Sequence, residues 1–306
     1  MGRRRHTKGR AIDGILLLDK PVGESSNQSL QRVKRLFGAR KAGHTGSLDP
    51  LASGLLPICF GQATKMSAFL LEAGKRYQVR CQFGVSTDTG DAEGKVTGND
   101  ATTQIDEDRL CEVMRGFVGE IMQTPPMYSA LRHKGERLYK LAREGIEVER
   151  EARPIKIYSL DLISLDGVFA EFDVKCSKGT YVRTLAEDIA AAMGTLAHVV
   201  GLRRTSVGPY GAEDMLTIDQ LEALAGEGGF PALDQKLKAI DSAVFDRPEV
   251  TLNKDCAFYI RRGQPVSVAQ APVAGEVRLY GDNHGFLGVG EVLADGRVAP
   301  RRLFSA

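Results

Sequence analysis

The stretch "AGHTGSLDPLASGLLPI", residues 42–58, decides how this chain is interpreted. It contains a single acid, Asp49, in a run dominated by glycine, alanine, serine, threonine, proline and aliphatic residues. The glycines let the backbone bend and let a large ligand approach closely. The leucines are expected to pack the segment and exclude water from the carboxylate, which raises the pKa of a carboxyl unless a cation pairs with it. We therefore expect a Gly/Pro-punctuated loop that holds one partly desolvated carboxylate beside a ligand.

The segments around this loop predict alternating strands and helices. An apolar run over residues 14–20, ended by Pro21, predicts a strand. Ser25 and Gln28 form a capping-box pattern before an apolar stripe, and Gly38 is placed to end that helix. Farther along, the sequence predicts an amphipathic helix at 61–75, strands around a polar loop at 75–96, a helix at 106–119, a hairpin at Asp166–Gly167, a helix at 181–194 and a strand at 197–211.

The length and the order of these patterns predict the domains. A chain of 306 residues suggests about two domains. Residues 1–10 are basic and contain no acid, which predicts a flexible tail before a main domain at 11–248. Residues 226–248 contain glycine and proline and are expected to form a linker. From 249 to 306 short strand-like runs alternate with turns, which predicts a small separate β-barrel.

The composition argues against several classes of protein. Hydrophobic residues make up 42% of the chain and charged residues 26%, which is typical of globular proteins. No apolar run approaches the ~18 residues that cross a bilayer, and the basic start lacks the apolar segment of a secretion signal. The five cysteines are scattered without a C-x-x-C pair, which argues against disulfides and zinc and favours a reducing cytoplasm.

The charge distribution points to a phosphate-rich partner more clearly than the net charge of +2 does. Local basic patches on a near-neutral protein suit a nucleic-acid backbone, although any single cluster is also explained by a solvated face. Beyond the tail, the clusters lie at 32–41, 132–143, 203–204, 261–262 and 301–302.

The residues of the opening loop alone leave three interpretations. A Ser-His-Asp triad of His44, Ser47 and Asp49 is disfavoured because triad members normally come from separate elements. Ordinary glycoside hydrolysis needs two carboxylates, and the loop contains one. Asp49–Pro50 also suits a plain turn. A cation for the carboxylate is offered by Arg183, which follows a glycine near the start of a predicted helix.

A resemblance to a known family adds to this interpretation. Five segments occur in this order: "GILLLDKPVGESSN", "AGHTGSLDPLASGLLPICFGQATK", "KRYQVRCQFGVSTDTGDAEG", "PPMYSALRHKGERLYKLAREGIEV" and "CSKGTYVRTLAEDIA". Together they closely resemble the TruB family of pseudouridine synthases, the bacterial tRNA pseudouridine-55 synthases, and the likeness runs from about residue 11 to the end of the chain. Ser25 and Ser53 stand where the family more often has threonine, and both keep the hydroxyl.

The resemblance implies a fold and a reaction. The fold would be a mixed α/β catalytic core around a largely antiparallel sheet at 11–248, with a thumb-like RNA-binding insertion at 124–152 and a PUA-like barrel at 249–306. The reaction would isomerise uridine 55 in the T loop of tRNA after flipping the base. The N1–C1′ bond breaks, the base turns and C5 is joined to C1′. No atom is gained or lost, so the resemblance implies no redox cofactor, metal ion or ATP.

The family's functional residues carry over onto matching positions of this sequence. Asp49 would be the essential nucleophilic or electrostatic group, Tyr77 would stack on the flipped base and is a candidate base, and Arg183 would pair with Asp49. The resemblance also implies a set of substrate-binding positions. These are Tyr181 and Leu202 in the uridine pocket, His44 against the displaced RNA loop, Lys20 behind the tyrosine, and Arg132 and Lys134 in the insertion.

Several alternatives stay open at this stage. The reaction could pass through nucleophilic attack at C1′, Michael addition at C6 or a glycal. A guide-RNA-dependent relative shares the same type of loop, and a protein that only binds or folds tRNA is a rival from another class. We expect tRNA as the partner, no membrane, a cytoplasmic location and a monomer, since no heptad or self-complementary element is present.

Overall fold

The computed structural model describes residues 9–304, which form a mixed α/β protein. The strands are β1 (Gly14–Lys20), β2 (Ala42–His44), β3 (Ala52–Phe60), β4 (Lys75–Phe83), β5 (Val85–Thr87), β6 (Val96–Asn99), β7 (Gly119–Gln123), β8 (Arg132–His133), β9 (Glu136–Arg137), β10 (Arg153–Asp166), β11 (Phe169–Cys176), β12 (Ala197–Val207), β13 (Glu249–Thr251), β14 (Gly275–Tyr280), β15 (Phe286–Val292) and β16 (Val298–Leu303). The helices are α1 (Ser26–Leu36), α2 (Ser67–Glu72), α3 (Glu107–Gly116), α4 (Leu138–Arg143), α5 (Val182–Met193), α6 (Ile218–Asp234) and α7 (Lys254–Arg261), with short 3-10 helices at Gly61–Met66 and Ile240–Val244.

An eight-stranded sheet organises the larger part of the chain. Its strands lie in the order β1-β3-β12-β4-β11-β10-β7, and β2 also pairs with β3. The pairs are antiparallel except for β3 with β12, which run parallel over a short register. The predicted fold class, a mixed α/β protein around a largely antiparallel sheet, is therefore confirmed.

The sequence signals for individual elements explain how helices cover this sheet. In α1 the Ser25 side chain accepts from the Gln28 N–H, and Gln28 accepts from the Ser25 N–H, so the predicted capping box is present. The apolar stripe of α1 buries Leu30, Val33 and Phe37. Helices α3 and α5 pack against β4, β10, β11 and β12 in a second hydrophobic cluster. The predicted hairpin joins β10 to β11.

Three expectations about local structure are wrong. Residues 42–58 are not one loop, because β2 and β3 occupy most of them and the apolar side chains of β3 are buried in the sheet. The helix expected over 61–75 is a 3-10 helix followed by the short α2, and Lys75 already belongs to β4. The linker expected at 226–248 is entered by α6, whose Leu221 and Leu233 are buried.

The C-terminal residues form a smaller, separate sheet. Its order is β13-β14-β15-β16, and α7 packs against β16. Val250, Leu252, Ile260 and Val277 lie in a hydrophobic cluster of their own. The small C-terminal sheet is thus confirmed, while its PUA-like closure into a barrel and the boundary after residue 248 stay predictions.

Two further expectations concern the start of the chain and the cysteines. Residues 1–8 of the expected basic tail lie outside the described residues. Arg10 is anchored, since its Nη1 donates to Asp234 Oδ1 at 3.2 Å and its guanidinium lies 4.2 Å from the Phe230 ring centroid. All five cysteines are free thiols. Within residues 9–304, no helix combines the length and apolar character that crossing a membrane requires.

Candidate active site

The loop that carries Asp49 is the short connection between β2 and β3, and it is fixed at its centre and by the strand that follows it. At its centre, the Ser26 Oγ donates to the Leu48 carbonyl at 3.1 Å and accepts from the Leu48 N–H at 2.7 Å. After the loop, β3 runs so close to β12 that a Cβ on Gly54 would lie 2.3 Å from the Arg204 carbonyl oxygen. Gly54 also has a φ of +97°, which favours glycine. The sheet and α1 together therefore hold the Asp49 backbone in one position.

Asp49 and Arg183 form the ion pair that the sequence suggested. Arg183 Nη2 lies 3.1 Å from Asp49 Oδ2, and Arg183 Nη1 lies 3.2 Å from Oδ2 of a second carboxylate, Asp91. The same guanidinium donates to the carbonyls of Thr89 at 2.6 Å and Tyr128 at 2.8 Å. Because Arg183 stands in the first turn of α5 and all these contacts lie around it, its guanidinium has little freedom to move.

The environment of Asp49 balances ionisation against burial. Burial raises the pKa of the Asp49 carboxyl, and the charge of Asp91 raises it further, while Arg183 and Lys20 oppose the rise. The Asp49 side chain is still 46% exposed, compared with 8% for Arg183. Asp49 lines a cleft, so water is only partly removed from its carboxylate. The arrangement presents an oriented carboxylate to whatever fills the cleft.

An inner cavity of about 340 Å³ brings five of the predicted site residues together. Tyr77 of β4 lies opposite Arg204 of β12 in the strand register, and both line the cavity. Tyr181 precedes α5 and is held by the buried Gln123, which accepts from the Tyr181 N–H at 2.8 Å and donates to its carbonyl at 3.1 Å. The predicted residues in the lining are Asp49, Tyr77, Tyr181, Arg183 and Leu202.

The ionisation of Tyr77 follows from its burial. Desolvation raises the pKa of the Tyr77 phenol, and the neighbouring Arg204 guanidinium opposes the rise. The phenol is therefore protonated at neutral pH. A flat, neutral ring on the wall of the cavity is suited to stacking.

A larger outer cleft, of about 1030 Å³, shares Asp49 and Arg183 with the inner cavity. Its wall from the 124–152 insertion carries Arg132 and a Tyr139 ring, with the guanidinium carbons of Arg137 and Arg143 at 6.0 and 5.6 Å from that ring's centroid. None of these three arginines forms an ion pair with a carboxylate of residues 9–304. We name them, with Tyr139, the arginine wall.

His44 also lines the outer cleft. Burial lowers the pKa of its imidazole, and the charge of Arg204 lowers it further, so the ring is neutral at pH 7. Its Nδ1 is buried and has no hydrogen-bond partner among the described residues. No hydrogen bond joins His44, Ser47 and Asp49 in the part of the chain that the structure describes, so the loop contains no Ser-His-Asp triad.

Two residues predicted to bind substrate line neither cavity. Lys20 is fully buried, and its Nζ donates to the carbonyls of Pro21 at 2.7 Å and Glu24 at 2.5 Å. Burial lowers the pKa of Lys20 to about 8. Lys134 is exposed at the turn between β8 and β9 with a φ of +48°. The position of Lys20 suits support of the turn after β1, and its expected role behind Tyr77 stays a prediction.

Sequence reasoning missed Asp91 and did not separate the two members of the 203–204 cluster. Asp91 lies in the quoted segment "KRYQVRCQFGVSTDTGDAEG", but no spacing marks it as a partner of Arg183. The 203–204 cluster is not a phosphate-facing patch, because Arg203 donates to both carboxylate oxygens of Asp19 at 3.0 and 2.7 Å. Arg204 is 1% exposed. Across residues 9–304, no group of three or more His, Cys, Asp or Glu is arranged to hold a metal ion.

Three family models match this chain in succession. They are described as TruB family pseudouridylate synthase (N terminal domain) at residues 34–182, tRNA pseudouridylate synthase B C-terminal domain at 183–245, and Pseudouridine synthase II TruB, C-terminal at 248–304. Together they cover almost all of the chain from the second half of α1 onward.

Curated relatives and solved structures agree with these matches. The chain is 55% identical to the tRNA pseudouridine synthase B of Nitrosococcus oceani, over 99% of this chain and 98% of that protein. It is 52% identical to the protein of that name from Tolumonas auensis, over 99% and 95%. Among solved structures, a chain of a Cbf5-Nop10-Gar1 complex is similar with a TM-score of 0.74 and 25% identity, over 95% of this chain and 85% of that one.

Proposed function

This chain belongs to the TruB family of pseudouridylate synthases, and from that premise we propose that it converts uridine 55 in the T loop of tRNA to pseudouridine. The names of relatives that share about half of its residues over nearly the whole chain support tRNA as the substrate. The choice of uridine 55 rests on the family resemblance that the five sequence segments carry.

One observation carries the proposal. The Asp49–Arg183 ion pair lines both the inner cavity of about 340 Å³ and the outer cleft of about 1030 Å³. The inner cavity suits a single nucleoside, and the outer cleft is large enough for neighbouring nucleotides. The arginine wall supplies cations that have no carboxylate partner among residues 9–304 and can bind their phosphates, and Tyr139 supplies a stacking surface. A small-molecule enzyme would have no use for this wall.

The substrate must enter the inner cavity as an extruded base. A uridine in a folded RNA loop is stacked, and its C1′ and C5 cannot be reached until it is flipped out. Tyr77, Leu202 and Tyr181 line the inner cavity where the flipped base would lie. The neutral His44 ring at the edge of the outer cleft is suited to contact the loop that the base leaves.

The chemistry needs one carboxylate because the base is both leaving group and returning nucleophile. The electrons of the N1–C1′ bond leave with the base, the base turns, and a C5 electron pair forms the new bond to C1′. The C5 proton departs, and N1 gains a proton, so the product is an isomer. Asp49 would attack C1′, add to C6 or support elimination to a glycal. In each route negative charge develops on the base.

Arg183 and Tyr77 take supporting roles in this proposal. Arg183 opposes the rise in the Asp49 pKa and keeps the carboxylate ionised and oriented toward the cavity. Tyr77 is a neutral phenol at physiological pH because burial raises its pKa, so stacking is the role that its environment favours. A role as a general base would require loss of a proton that burial disfavours.

The alternatives are less well supported. A guide-RNA-dependent enzyme is suggested by the shared type of loop alone, whereas the curated relatives at 49–55% identity are named tRNA pseudouridine synthase B. A protein that only binds tRNA has no need for Asp49, Tyr77 and Arg183 in one cavity. The monomeric state, the cytoplasmic location and the absence of a cofactor stay predictions.

The test uses an unmodified tRNA transcript without any guide RNA. After incubation with the protein, carbodiimide labelling and primer extension map pseudouridine along the transcript. We expect one new stop, assigned to position 55, and none with a transcript that carries cytidine there. Modification at other positions alone, or only after a guide RNA is added, would contradict the proposal.

A further inference from the structure

Arg204 is a buried cation without a counterion among residues 9–304. Its side chain is 1% exposed, it donates to the carbonyl oxygens of Leu55 at 2.8 Å and Gly46 at 3.1 Å, and it also interacts with the Tyr77 phenol. No carboxylate of residues 9–304 lies within ion-pair distance of it. A buried charge of this kind destabilises a protein unless it is paired, so stability alone does not account for an arginine at this position.

Arg183, in contrast, is paired with two carboxylates. Arg183 contacts the carboxylates of both Asp49 and Asp91, so these three side chains together carry one net negative charge. Arg204 lines the same inner cavity on the side of Tyr77. The cavity therefore has a negative side around Asp49 and a positive side beneath Tyr77.

Lys75 adds to the positive side. It lines the inner cavity, and its Nζ donates to the carbonyls of Leu71 and Ala73, each at 2.6 Å. It has no carboxylate within ion-pair distance among the described residues. Burial, followed by repulsion from Arg204, lowers the pKa of Lys75 to about 8, so it is mostly protonated at pH 7. We name Lys75 and Arg204 the cationic floor.

This polarity matches the charge separation in the reaction. When the N1–C1′ bond breaks, its electron pair stays with the base, which becomes a uracil anion, and C1′ becomes electron-poor. The negative side of the cavity is suited to the sugar, and the positive side to the base that lies against Tyr77. Fixed charges placed where charge develops are an effective way to lower a reaction barrier.

We propose that the cationic floor, chiefly Arg204, stabilises the negative charge on the uracil base while it is detached from the ribose. This inference rests on the proposed function and holds for each of the three routes, because each leaves negative charge on the base. Arg204 also holds the catalytic loop through Gly46 and Leu55, so a test must separate charge stabilisation from loop positioning.

The test compares two substrates in single-turnover reactions with saturating enzyme. One tRNA transcript carries uridine at the target position and the other carries 5-fluorouridine, whose base is the better leaving group because fluorine stabilises its anion. Nuclease digestion and chromatography follow the loss of each N-linked nucleoside. We expect Arg204→Met to slow the uridine reaction by ~10²–10³-fold and the 5-fluorouridine reaction by a clearly smaller factor.

Conservative variants separate the charge from the loop contacts. Arg204→Lys keeps the charge and loses the forked hydrogen bonds, so its ratio of the two rates should stay close to that of the wild type. Lys75→Met removes charge without touching Gly46 or Leu55 and should shift the ratio in the same direction as Arg204→Met. Arg203→Met, which removes an arginine paired with Asp19, should leave both rates unchanged.

Each outcome bears on the inference. Equal slowing of both substrates in Arg204→Met overturns it and leaves a purely structural role. If that variant does not fold, as judged by circular dichroism, Lys75→Met decides, and equal slowing there also overturns it. A wild-type protein that does not convert uridine refutes the proposed function instead.

Discussion

The inner cavity and the 124–152 insertion use arginine in opposite ways. In the inner cavity, Arg183 and Arg204 are almost fully buried, and hydrogen bonds fix both guanidinium groups. In the insertion, Arg137 and Arg143 have no ion-pair partner among residues 9–304 and lie beside the Tyr139 ring. The insertion is built from two-residue strands and a six-residue helix, anchored by the buried Leu138 and Leu141.

The difference reflects what each region has to do. Bond rearrangement requires groups held to within a fraction of an ångström, which long sheet strands provide. Binding a polyanion requires cations that can adjust to the phosphates they meet, and a thin surface element provides these at little cost in stability. Changes in the cavity should therefore reduce the rate of reaction, and changes in the insertion should reduce affinity.

The largest effect is expected for Arg183→Met. Loss of the guanidinium leaves Asp49 without its partner, and the carboxylate is then no longer held in one orientation. The single-turnover rate should therefore fall by ~10²–10³-fold. Affinity for tRNA, measured by filter binding, should change little. Arg76→Met is the matched control, since Arg76 pairs at 2.6 Å with Asp173 on β11 and its side chain is 53% exposed. A loss of affinity equal to the loss of rate would remove the distinction between the two regions.

A smaller effect, on binding alone, is expected for Arg137→Gln with Arg143→Gln. Losing two phosphate contacts should weaken tRNA binding by about tenfold near physiological salt and reduce the slope of log affinity against log salt by about 1.5. The rate at saturating enzyme should stay within about twofold of wild type, as for loss of binding alone. Arg109→Gln with Arg115→Gln removes the same charge from α3 and should leave the affinity unchanged. An unaltered salt slope in the first variant would contradict the role of the arginine wall.

Asp91→Asn tests the electrostatic balance around Asp49. Asp91 contributes to the raised pKa of Asp49, so removing its charge should lower that pKa. The reaction needs the ionised carboxylate, which is present above the Asp49 pKa and lost as the pH falls through it. The acid limb of the rate profile should therefore move to lower pH. Asp88→Asn, where Asp88 accepts from the Lys95 N–H at 2.8 Å, should leave the limb in place. An acid limb that moves to higher pH would contradict the contribution of Asp91 to the Asp49 pKa.

The smallest effect concerns stability and Lys20. The pKa of Lys20 is lowered from 10.5 to about 8 in the folded protein, so the unfolded chain binds more protons between these values. The wild type should gain stability from pH 8 to 10.5 relative to Lys20→Met, by ~1–3 kcal/mol. Urea unfolding at pH 7 and pH 10 measures this, with Lys175→Met as an exposed control. If the difference in free energy of unfolding between wild type and Lys20→Met were the same at pH 7 and pH 10, burial would not destabilise the charged lysine.

Local signals predicted much of the fold. The capping box of α1, the Asp166–Gly167 hairpin and the strand before Pro21 depend on neighbours in sequence, and all three are present. The alternation of apolar and polar residues did not reveal β3, because nearly every residue of this strand is buried. Gly54 and Pro57 in that strand also favoured a loop.

The site was less accessible to sequence reasoning. Asp49 and Arg183 lie far apart in the chain, and their contact depends on how the loop before β3 meets α5. The resemblance, not periodicity, pointed to Tyr77 and Leu202. The basic cluster 203–204 predicts two surface arginines, but alternation along β12 places Arg203 in an ion pair with Asp19 and buries Arg204.

The most direct measurement is tritium release from C5-tritiated uridine in an unmodified tRNA transcript, with wild type and Asp49→Asn in parallel. Joining C5 to C1′ expels that hydrogen to water. The account predicts release by the wild type without a guide RNA and none by Asp49→Asn, which should bind the transcript as tightly. Comparable release by both proteins, or none by a wild type that binds the transcript, would contradict it.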